Sequence, residues 1–250
     1  MSQAVFRFYG GLKDLADKSA EKGLLRLEIA GHETVKHMVE SSGVPHTEIG
    51  MILANDRSVD FDYIVKVGDR VAVFPPFSSF PINQISKINQ EDEEEHRFVL
   101  DVHLGRLAEL LRMLGLDCRY QNDFQDLELA QISGAEERIL LSRDRGLLKR
   151  KAVTRGYLIR SKVPEEQAVE VIRRFNLFRE INLLSRCAIC GGLLKPVSRE
   201  DVSEQLEPMT REHYQDFQQC DGCRQVFWKG THYNQLKKML QEIISRAQGS

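Results

Sequence analysis

The 250-residue chain has no run of about 18 apolar residues that could span a bilayer, and no basic-then-apolar opening of the kind a secretory signal carries. A cytoplasmic location without a membrane partner is the expectation. Neither sign of charge is in excess. Thirty-five Lys and Arg face 37 Asp and Glu, a net charge of -2, so any affinity for nucleic acid has to come from a local patch. Cysteine is scarce as well, with five residues: Cys118 stands alone, and Cys187, Cys190, Cys220 and Cys223 fall as two close pairs. In a reducing compartment paired Cys-x-x-Cys units are metal ligands more often than disulfides. Cys118, inside an apolar run, reads as a small core residue. What is present is ordinary for a globular protein, 42% hydrophobic and 29% charged, and long enough for two or three domains at roughly 100 to 200 residues each.

The most informative stretch is 97–155. Three short apolar runs there each lead into aspartate: Phe98-Val99-Leu100 into Asp101, the run 116–120 into Asp123 and Asp126, and Ile139-Leu140-Leu141 into Asp144. Leu104, Leu107, Ala108, Leu111 and Leu114 between the first two have the spacing of one buried helix face. Strand, helix, strand, helix, strand predicts a parallel sheet, whose carboxyl ends share the edge where open α/β sheets bind ligands. Carboxylates gathered there need protons, basic partners or a cation, and hard oxygen ligands suit Mg²⁺ or Mn²⁺. Arg143, Arg145, Lys149, Arg150, Lys151 and Arg155 follow the third run, with Asp144 the one acid among them. An acidic metal site beside a basic ridge suits a string of phosphates.

The N-terminal residues read as a separate unit. Ala4, Phe6 and Phe8 alternate with Val5, Arg7 and Tyr9, and Leu25, Leu27 and Ile29 alternate with Arg26 and Glu28, as in half-buried strands. A short helix between Gly31 and Gly43 would bury Val35, Met38 and Val39; another strand fits 51–54, and 65–74 reads as strand, turn, strand. From 83 to 96 the chain is polar, with five consecutive acids at 91–95. It reads as a solvated linker, or alternatively as an internal nucleic-acid mimic shielding the basic ridge.

After Asp144 the pattern predicts a helix at 145–153, a strand at 157–160, and a helix opened by Pro164 that carries Ala168, Val169, Val171, Ile172 and Phe175. Residues 97–183 hold sixteen Lys and Arg against thirteen Asp and Glu, which makes this the mildly basic part. Beyond it, Cys187-Ala188-Ile189-Cys190-Gly191-Gly192 and Cys220-Asp221-Gly222-Cys223 have the spacing with which two thiolate pairs grip one tetrahedral Zn²⁺ in a zinc ribbon. The 29-residue gap from Gly191 to Gln219 calls for an inserted helix near 210–217; Val226, Phe227 and Trp228 suit a last strand. A final helix would use Leu236, Met239, Leu240, Ile243 and Ile244.

The order of the N-terminal elements resembles the ubiquitin-like β-grasp fold, and Val67-Gly68-Asp69-Arg70-Val71-Ala72-Val73-Phe74-Pro75-Pro76 resembles its sulfur-carrier branch. Sulfur carriers react through a free diglycine tail. Here Pro75-Pro76 runs on into Phe77-Ser78-Ser79-Phe80, so an interaction or regulatory domain is expected instead. The rest is similar to the Mut-seven carboxy-terminal RNase family, a PIN-like nuclease domain followed by a zinc ribbon and found with a ubiquitin-like domain in front. The residues that carry this resemblance are Phe98-Val99-Leu100-Asp101, Leu104-Gly105-Arg106-Leu107-Ala108, Leu111-Arg112-Met113-Leu114-Gly115, Asp126-Leu127-Glu128-Leu129, Ile139-Leu140-Leu141-Ser142-Arg143-Asp144-Arg145, the cysteine pairs, and Trp228-Lys229-Gly230-Thr231-His232-Tyr233.

The expected architecture is therefore α/β: a β-grasp domain at 1–80, an acidic linker at 81–96, a PIN-like parallel-sheet domain at 97–183, and a zinc ribbon with a terminal helix at 184–250. The resemblance implies a Mg²⁺- or Mn²⁺-dependent ribonuclease whose acidic site falls on Asp101, Asp126 and Asp144, with Asp123 or Glu128 as a further ligand. No acid follows Asp144 through Lys149, where PIN nucleases usually hold one, so the number of metal ions stays open. Arg143, Arg145 and Lys149 are candidate phosphate contacts, and Cys187, Cys190, Cys220 and Cys223 candidate ligands of a structural zinc. Competing readings remain for each group. The aspartates can cap helices, the basic residues can line a solvated helix face, and His103 and His232 can be structural. A noncatalytic RNA- or ribosome-binding protein, or an adaptor that meets protein partners through its β-grasp domain, are the alternatives to an RNA-cleaving enzyme.

Overall fold

The computed structural model describes residues 2–76, 86–88 and 96–249. The acidic run at 91–95 and the segment 77–80 lie outside them. The chain divides into two compact units, Met1–Glu94 with Asp144–Leu158, and Glu95–Arg143 with Ile159–Ser250.

In the first unit, β1 (Gln3–Phe8) and β2 (Leu24–Glu28) precede α1 (Val35–Ser41), and β3 (Met51–Ala54), β4 (Arg57–Val59) and β5 (Arg70–Phe74) follow. The strand order is β2-β1-β5-β3-β4, with β1 and β5 parallel at the centre. This is the expected β-grasp-like arrangement. Ala4, Phe6 and Phe8 are fully buried while Arg7 is exposed, so period-two alternation reports the inward face directly. The Thr34 side chain accepts from His37 N (3.2 Å) and caps α1, which buries Val35, Met38 and Val39.

The alternation at 65–67 predicts a strand that the structure lacks. That stretch is instead a turn built on Asp69, a buried carboxylate accepting from Lys66 N (2.8 Å), the Tyr63 hydroxyl (2.9 Å) and Asn55 Nδ2 (2.7 Å). Satisfying a buried charge takes precedence over the β preference of Val65 and Val67, and Val67 is left 59% exposed. The outer neighbour of β3, whose other edge pairs with β5, is β4, reached through Asn55 and Asp56 at φ +48° and +66°, the signature of a two-residue hairpin turn. With Val59 as its one buried residue, β4 is too short for alternation to reveal.

Next in sequence come β6 (Arg97–Leu100), α2 (Gly105–Met113), β7 (Asp117–Arg119), α3 (Asp126–Ala135) and β8 (Ile139–Ser142) of the second unit. As expected, β6 runs parallel to both β7 and β8, pairing Phe98 with Cys118 on one side and Ile139 on the other. Its apolar residues are buried on both faces, as parallel strands covered by helices require. In the first unit, α4 (Arg145–Leu148) leads to β9 (Gly156–Leu158). Where the sequence predicts a helix through 153, the helix stops after one turn. The Val153 carbonyl, past the helix end, faces His46 Nε2 at 2.8 Å.

Returning to the second unit, α5 (Pro164–Phe175) begins with proline in its first turn and Glu165 and Glu166 beside the positive helix end, and it closes on Asn176 at φ +53°. It buries Ala168, Val169, Val171 and Ile172 and packs on α2. The C-terminal part adds β10 (Leu194–Val197), α6 (Arg199–Val202), α7 (Pro208–His213), β11 (Phe217–Cys220), β12 (Val226–Trp228) and α8 (Tyr233–Gln248). The strands form an antiparallel sheet in the order β10-β11-β12. The gap between the cysteine pairs holds two short helices rather than one at 210–217, because Phe217 is needed in β11 to fill a small core with Val202, Leu206 and Val226. Leu240, Ile243 and Ala247 of α8 are buried and the helix packs on α5, where Arg173 Nε donates to Ala247 O at 3.1 Å. Among the described residues no helix is long and apolar enough to cross a membrane.

Gly115 ends α2 at φ +95°, and a Cβ there would lie 2.3 Å from the Asn182 carbonyl oxygen. A left-handed position against fixed backbone admits glycine alone. Gly115→Ala should therefore destabilise the second unit by about 3 kcal/mol, combining the backbone penalty with overpacking. Chemical denaturation followed by far-UV circular dichroism measures this; a change below about 0.5 kcal/mol would show that the Asn182 loop yields freely.

Candidate functional site

The end of the central strand places the first candidate acid. Asp101 N donates to Leu141 O (3.0 Å), so the chain leaving β6 stays in register with β8 for one more residue, and Asp101 is 5% exposed. Its Oδ2 accepts from Ser142 Oγ at 2.7 Å, and its Oδ1 lies 3.1 Å from His103 Nδ1 and 3.4 Å from His103 N. It thus caps the 3₁₀ turn Val102–Leu104. Asp123, Asp126 and Glu128 are exposed in the connection after β7 and the first turn of α3, where the positive helix end favours acids. Asp144 is exposed in the first unit and caps α4 through Gly146 N at 2.6 Å. Capping and a place after a parallel strand thus coexist for Asp101 and Asp144. Among the described residues, the group of three or more His, Cys, Asp or Glu side chains gathered closely enough to hold a metal is the four cysteines.

The candidate phosphate contacts have different surroundings. Arg143 is exposed. Arg145 Nη1 donates to Leu15 O (2.8 Å) and Lys149 Nζ donates to Glu40 O, so both cations are engaged by backbone carbonyls of the β-grasp part. Burial holds the Lys149 ammonium below the usual lysine range, against the pull of the Glu40 carboxylate. Nothing in the sequence signals this use of Lys149, because its acceptor is a main-chain oxygen more than a hundred residues away.

The cysteine centre is built from two matching turns. In the first, Cys187 N donates to Gly192 O and Gly191 N to Cys187 O, both at 2.8 Å; in the second, Cys220 N donates to Gln225 O (3.0 Å) and Arg224 N to Cys220 O (3.2 Å). Gly191 and Arg224, each four residues after the leading cysteine, are left-handed at φ +84° and +64°. The four Sγ atoms lie within 4.8 Å of one another, with Cys190 and Cys220 3.3 Å apart and Cys187 and Cys223 3.7 Å apart. A tetrahedral site with Zn–S bonds of about 2.3 Å has S···S edges of about 3.8 Å, so the four thiols fit a single metal ion. Without metal their protons are unequally held. Burial pushes the Cys187 thiol up to about 12. Burial also raises Cys190, but the Gly192 N–H and the neighbouring thiols outweigh it and bring that group down to about 7. Cys118 is a separate buried thiol, raised to about 12 by burial, as suits a core residue.

Arg112, which the sequence analysis treats only as part of a motif, fastens this centre to the parallel sheet. It is 3% exposed, and it donates through Nε to Cys118 O (3.0 Å), through Nη1 to Ile189 O (2.7 Å) and through Nη2 to Tyr120 O (3.3 Å). Arg186 adds bonds to Gly115 O and Gly191 O and an ion pair with Asp117 at 3.3 Å. The one available signal was an arginine at a position of α2 that faces inward. The same C-terminal part holds a groove of about 1130 Å³ lined by Tyr214, Phe227, Trp228, Tyr233, Lys229 and His232 among others. The sequence does not reveal it, because β12 and α8 contribute its wall jointly.

The profile of the Mut7-C RNAse domain matches residues 96–240, and that of the Mut7-C ubiquitin domain matches residues 1–81. No curated protein matches the chain. Among solved structures, SAMP1 from Haloferax volcanii is similar at 17% identity, covering 31% of this chain and 99% of its own, with a TM-score of 0.26. The putative molybdopterin converting factor subunit 1 from Pyrococcus furiosus is similar at 21% identity, covering 31% of this chain and 100% of its own, with a TM-score of 0.25. With the RNAse profile extending over more than half of the chain, from β6 through the cysteine centre into α8, and the ubiquitin profile covering the β-grasp-like part, this protein belongs to the Mut7-C RNAse family.

Proposed function

We propose that the chain is a Mg²⁺- or Mn²⁺-dependent ribonuclease that hydrolyses RNA phosphodiester bonds with Asp101, Asp126 and Asp144 as metal ligands. The observation that carries this reading is the buried Asp101 carboxylate at the end of the central parallel strand of an RNAse domain. Its side-chain partners are a hydroxyl and the exposed imidazole of His103, with no Arg or Lys paired to it among the described residues. Buried charges are normally paired or bound to metal, and a hard divalent cation is the partner that carboxylates select. Asp126 and Asp144 follow the neighbouring strands β7 and β8 in sequence, and Asp123 or Glu128 is the further acid available as a ligand. Such a cation would polarise the phosphoryl oxygen and acidify a bound water, leaving the carboxylates as ligands and not nucleophiles. Arg143 is the basic residue best placed to meet phosphate, since Arg145 and Lys149 bond to the β-grasp part. The domain architecture we assign is PIN-like for the parallel-sheet part and a zinc ribbon for the C-terminal sheet, with the ubiquitin-like part as the surface for a protein partner.

Asp101→Asn and Asp144→Asn should each reduce Mn²⁺-dependent cleavage of mixed cellular RNA by more than about a hundredfold, beyond what outer-sphere changes around metals cost, with the far-UV spectrum unchanged. Cleavage by homogeneous protein that survives both substitutions would place the chemistry elsewhere. A second reading, a noncatalytic RNA-binding protein, is favoured by the aromatic groove, since Trp228 is 39% exposed beside Tyr214 with ring centroids 6.4 Å apart. Exposed aromatic faces stack on bases irrespective of sequence. Salt-dependent RNA binding by a wild type that never cleaves would favour this second reading.

For the cysteines we propose one structural Zn²⁺ held by Cys187, Cys190, Cys220 and Cys223. Four thiolates leave no open position for substrate, so the ion serves the fold. Elemental analysis should find one zinc per chain, lost in Cys190→Ser combined with Cys220→Ser. Chelation should shift the emission of Trp228, the one tryptophan, whose strand pairs with the strand ending in Cys220. Protein purified without chelator and free of zinc would refute the assignment.

A further inference from the structure

The segment 144–158, which begins with Asp144, is bonded to the ubiquitin-like part at four points spread along its length. Arg145 Nη1 donates to Leu15 O at 2.8 Å and Lys149 Nζ to Glu40 O; His46 Nε2 lies 2.8 Å from Val153 O; Leu158 N donates to Glu48 Oε1 at 2.7 Å. The last two bonds are closed to water. His46 is 6% exposed, Glu48 3%, Val153 0% and Leu158 6%. A carbonyl accepts and never donates, so His46 Nε2 must carry the hydrogen, while His46 Nδ1 faces Glu40 Oε1 at 2.7 Å. Glu40 thus serves the contact twice, through its carboxylate to His46 and through its carbonyl to Lys149. Gly43 keeps the path clear: its φ is +98°, and a Cβ there would stand 2.8 Å from the Leu15 carbonyl oxygen that Arg145 uses. Linker-joined modules share few buried bonds, and a buried charge accepting a main-chain N–H is costly to separate from it.

We propose that the ubiquitin-like part is a positioning element for the segment that carries Asp144, with Glu48 and His46 as the positioning residues. This rests on the ribonuclease reading for its consequence in catalysis and on the four bonds for its existence. Asp144 caps α4, and α4 is held by Arg145 at its start and by Lys149 at its end. Loosening the clamp therefore frees the carboxylate as well as the strand that follows.

The test compares full-length wild type with Glu48→Ala, Glu48→Gln and Lys149→Met, by amide hydrogen exchange and by Mn²⁺-dependent RNA cleavage. Glu48→Ala should raise exchange at 144–158 roughly tenfold or more while β1 stays protected, and glutamine, which keeps an acceptor oxygen, should restore most of the protection. Cleavage by Glu48→Ala should fall in kcat with KM nearly unchanged, again recovered by glutamine. Unchanged exchange at 144–158 in folded Glu48→Ala overturns the clamp; raised exchange with unaltered kcat overturns its role in placing Asp144. If Glu48→Ala does not fold, Lys149→Met decides by the same exchange measurement, and an unchanged rate overturns the clamp. Exchange that behaves as expected in a wild type that cleaves no RNA removes the ribonuclease reading and leaves the clamp standing.

Discussion

A strand paired on both edges and covered on both faces can offer solvent only its ends, and β6 is such a strand. Phe98, Val99 and Leu100 are fully buried, and full burial of a side chain of this size contributes about 1.5 to 3 kcal/mol. The hydrogen bonds to β7 and β8 use up the backbone groups on either side. Past Leu100 the chain meets its first acid where it leaves this strand. That acid is Asp101, and its position against Ser142 follows from register: Asp101 N still bonds Leu141 O, which puts the next residue of β8 beside the carboxylate.

The same economy of buried polar groups explains how the cysteine centre is attached. Two short turns and a three-stranded sheet make a small body whose apolar core is a handful of residues. Bodies of that size bury too little apolar surface to hold themselves together, and here arginine supplies part of the attachment. Arg112 lies in the helix after β6, yet three of its donors end on carbonyls of Cys118, Tyr120 and Ile189. Its planar fork suits three acceptors in different directions, which a lysine could not reproduce. The sheet and the cysteine turns are joined through main-chain oxygens that arginine bridges.

In the first unit the balance differs again. A β-grasp-like sheet has its own core in Ala4, Phe6, Phe8, Ile52, Val71 and Val73. Its bonds to 144–158 are polar and lie beside that apolar core. Buried Glu48 and His46 satisfy the Leu158 N–H and the Val153 carbonyl, which apolar residues in their place would leave buried and unpaired.

What could be read from the residues was whatever depends on periodicity or on fixed spacing. Alternation located β1, β2 and β3; a helical stripe located α2, α5 and α8; two Cys-x-x-Cys pairs announced a four-thiol centre; aspartates after apolar runs marked the ends of parallel strands. These are local signals, set by 2.0 and 3.6 residues per repeat and by the reach of a turn. What escaped them was decided by partners distant in sequence. Asp69 turned the 65–67 run into a loop because a buried carboxylate recruits donors before a valine pair recruits a strand. The Val153 carbonyl lies against His46, and Arg145 and Lys149 met carbonyls of the β-grasp part. The sequence by itself determined the strands and helices that carry a clear period and the cysteine pairs that come together, since each is a property of a few neighbouring residues. Only the tertiary structure decided what each charged group bonds to, because a main-chain carbonyl is the same acceptor at every position, and folding alone brings one of them within reach.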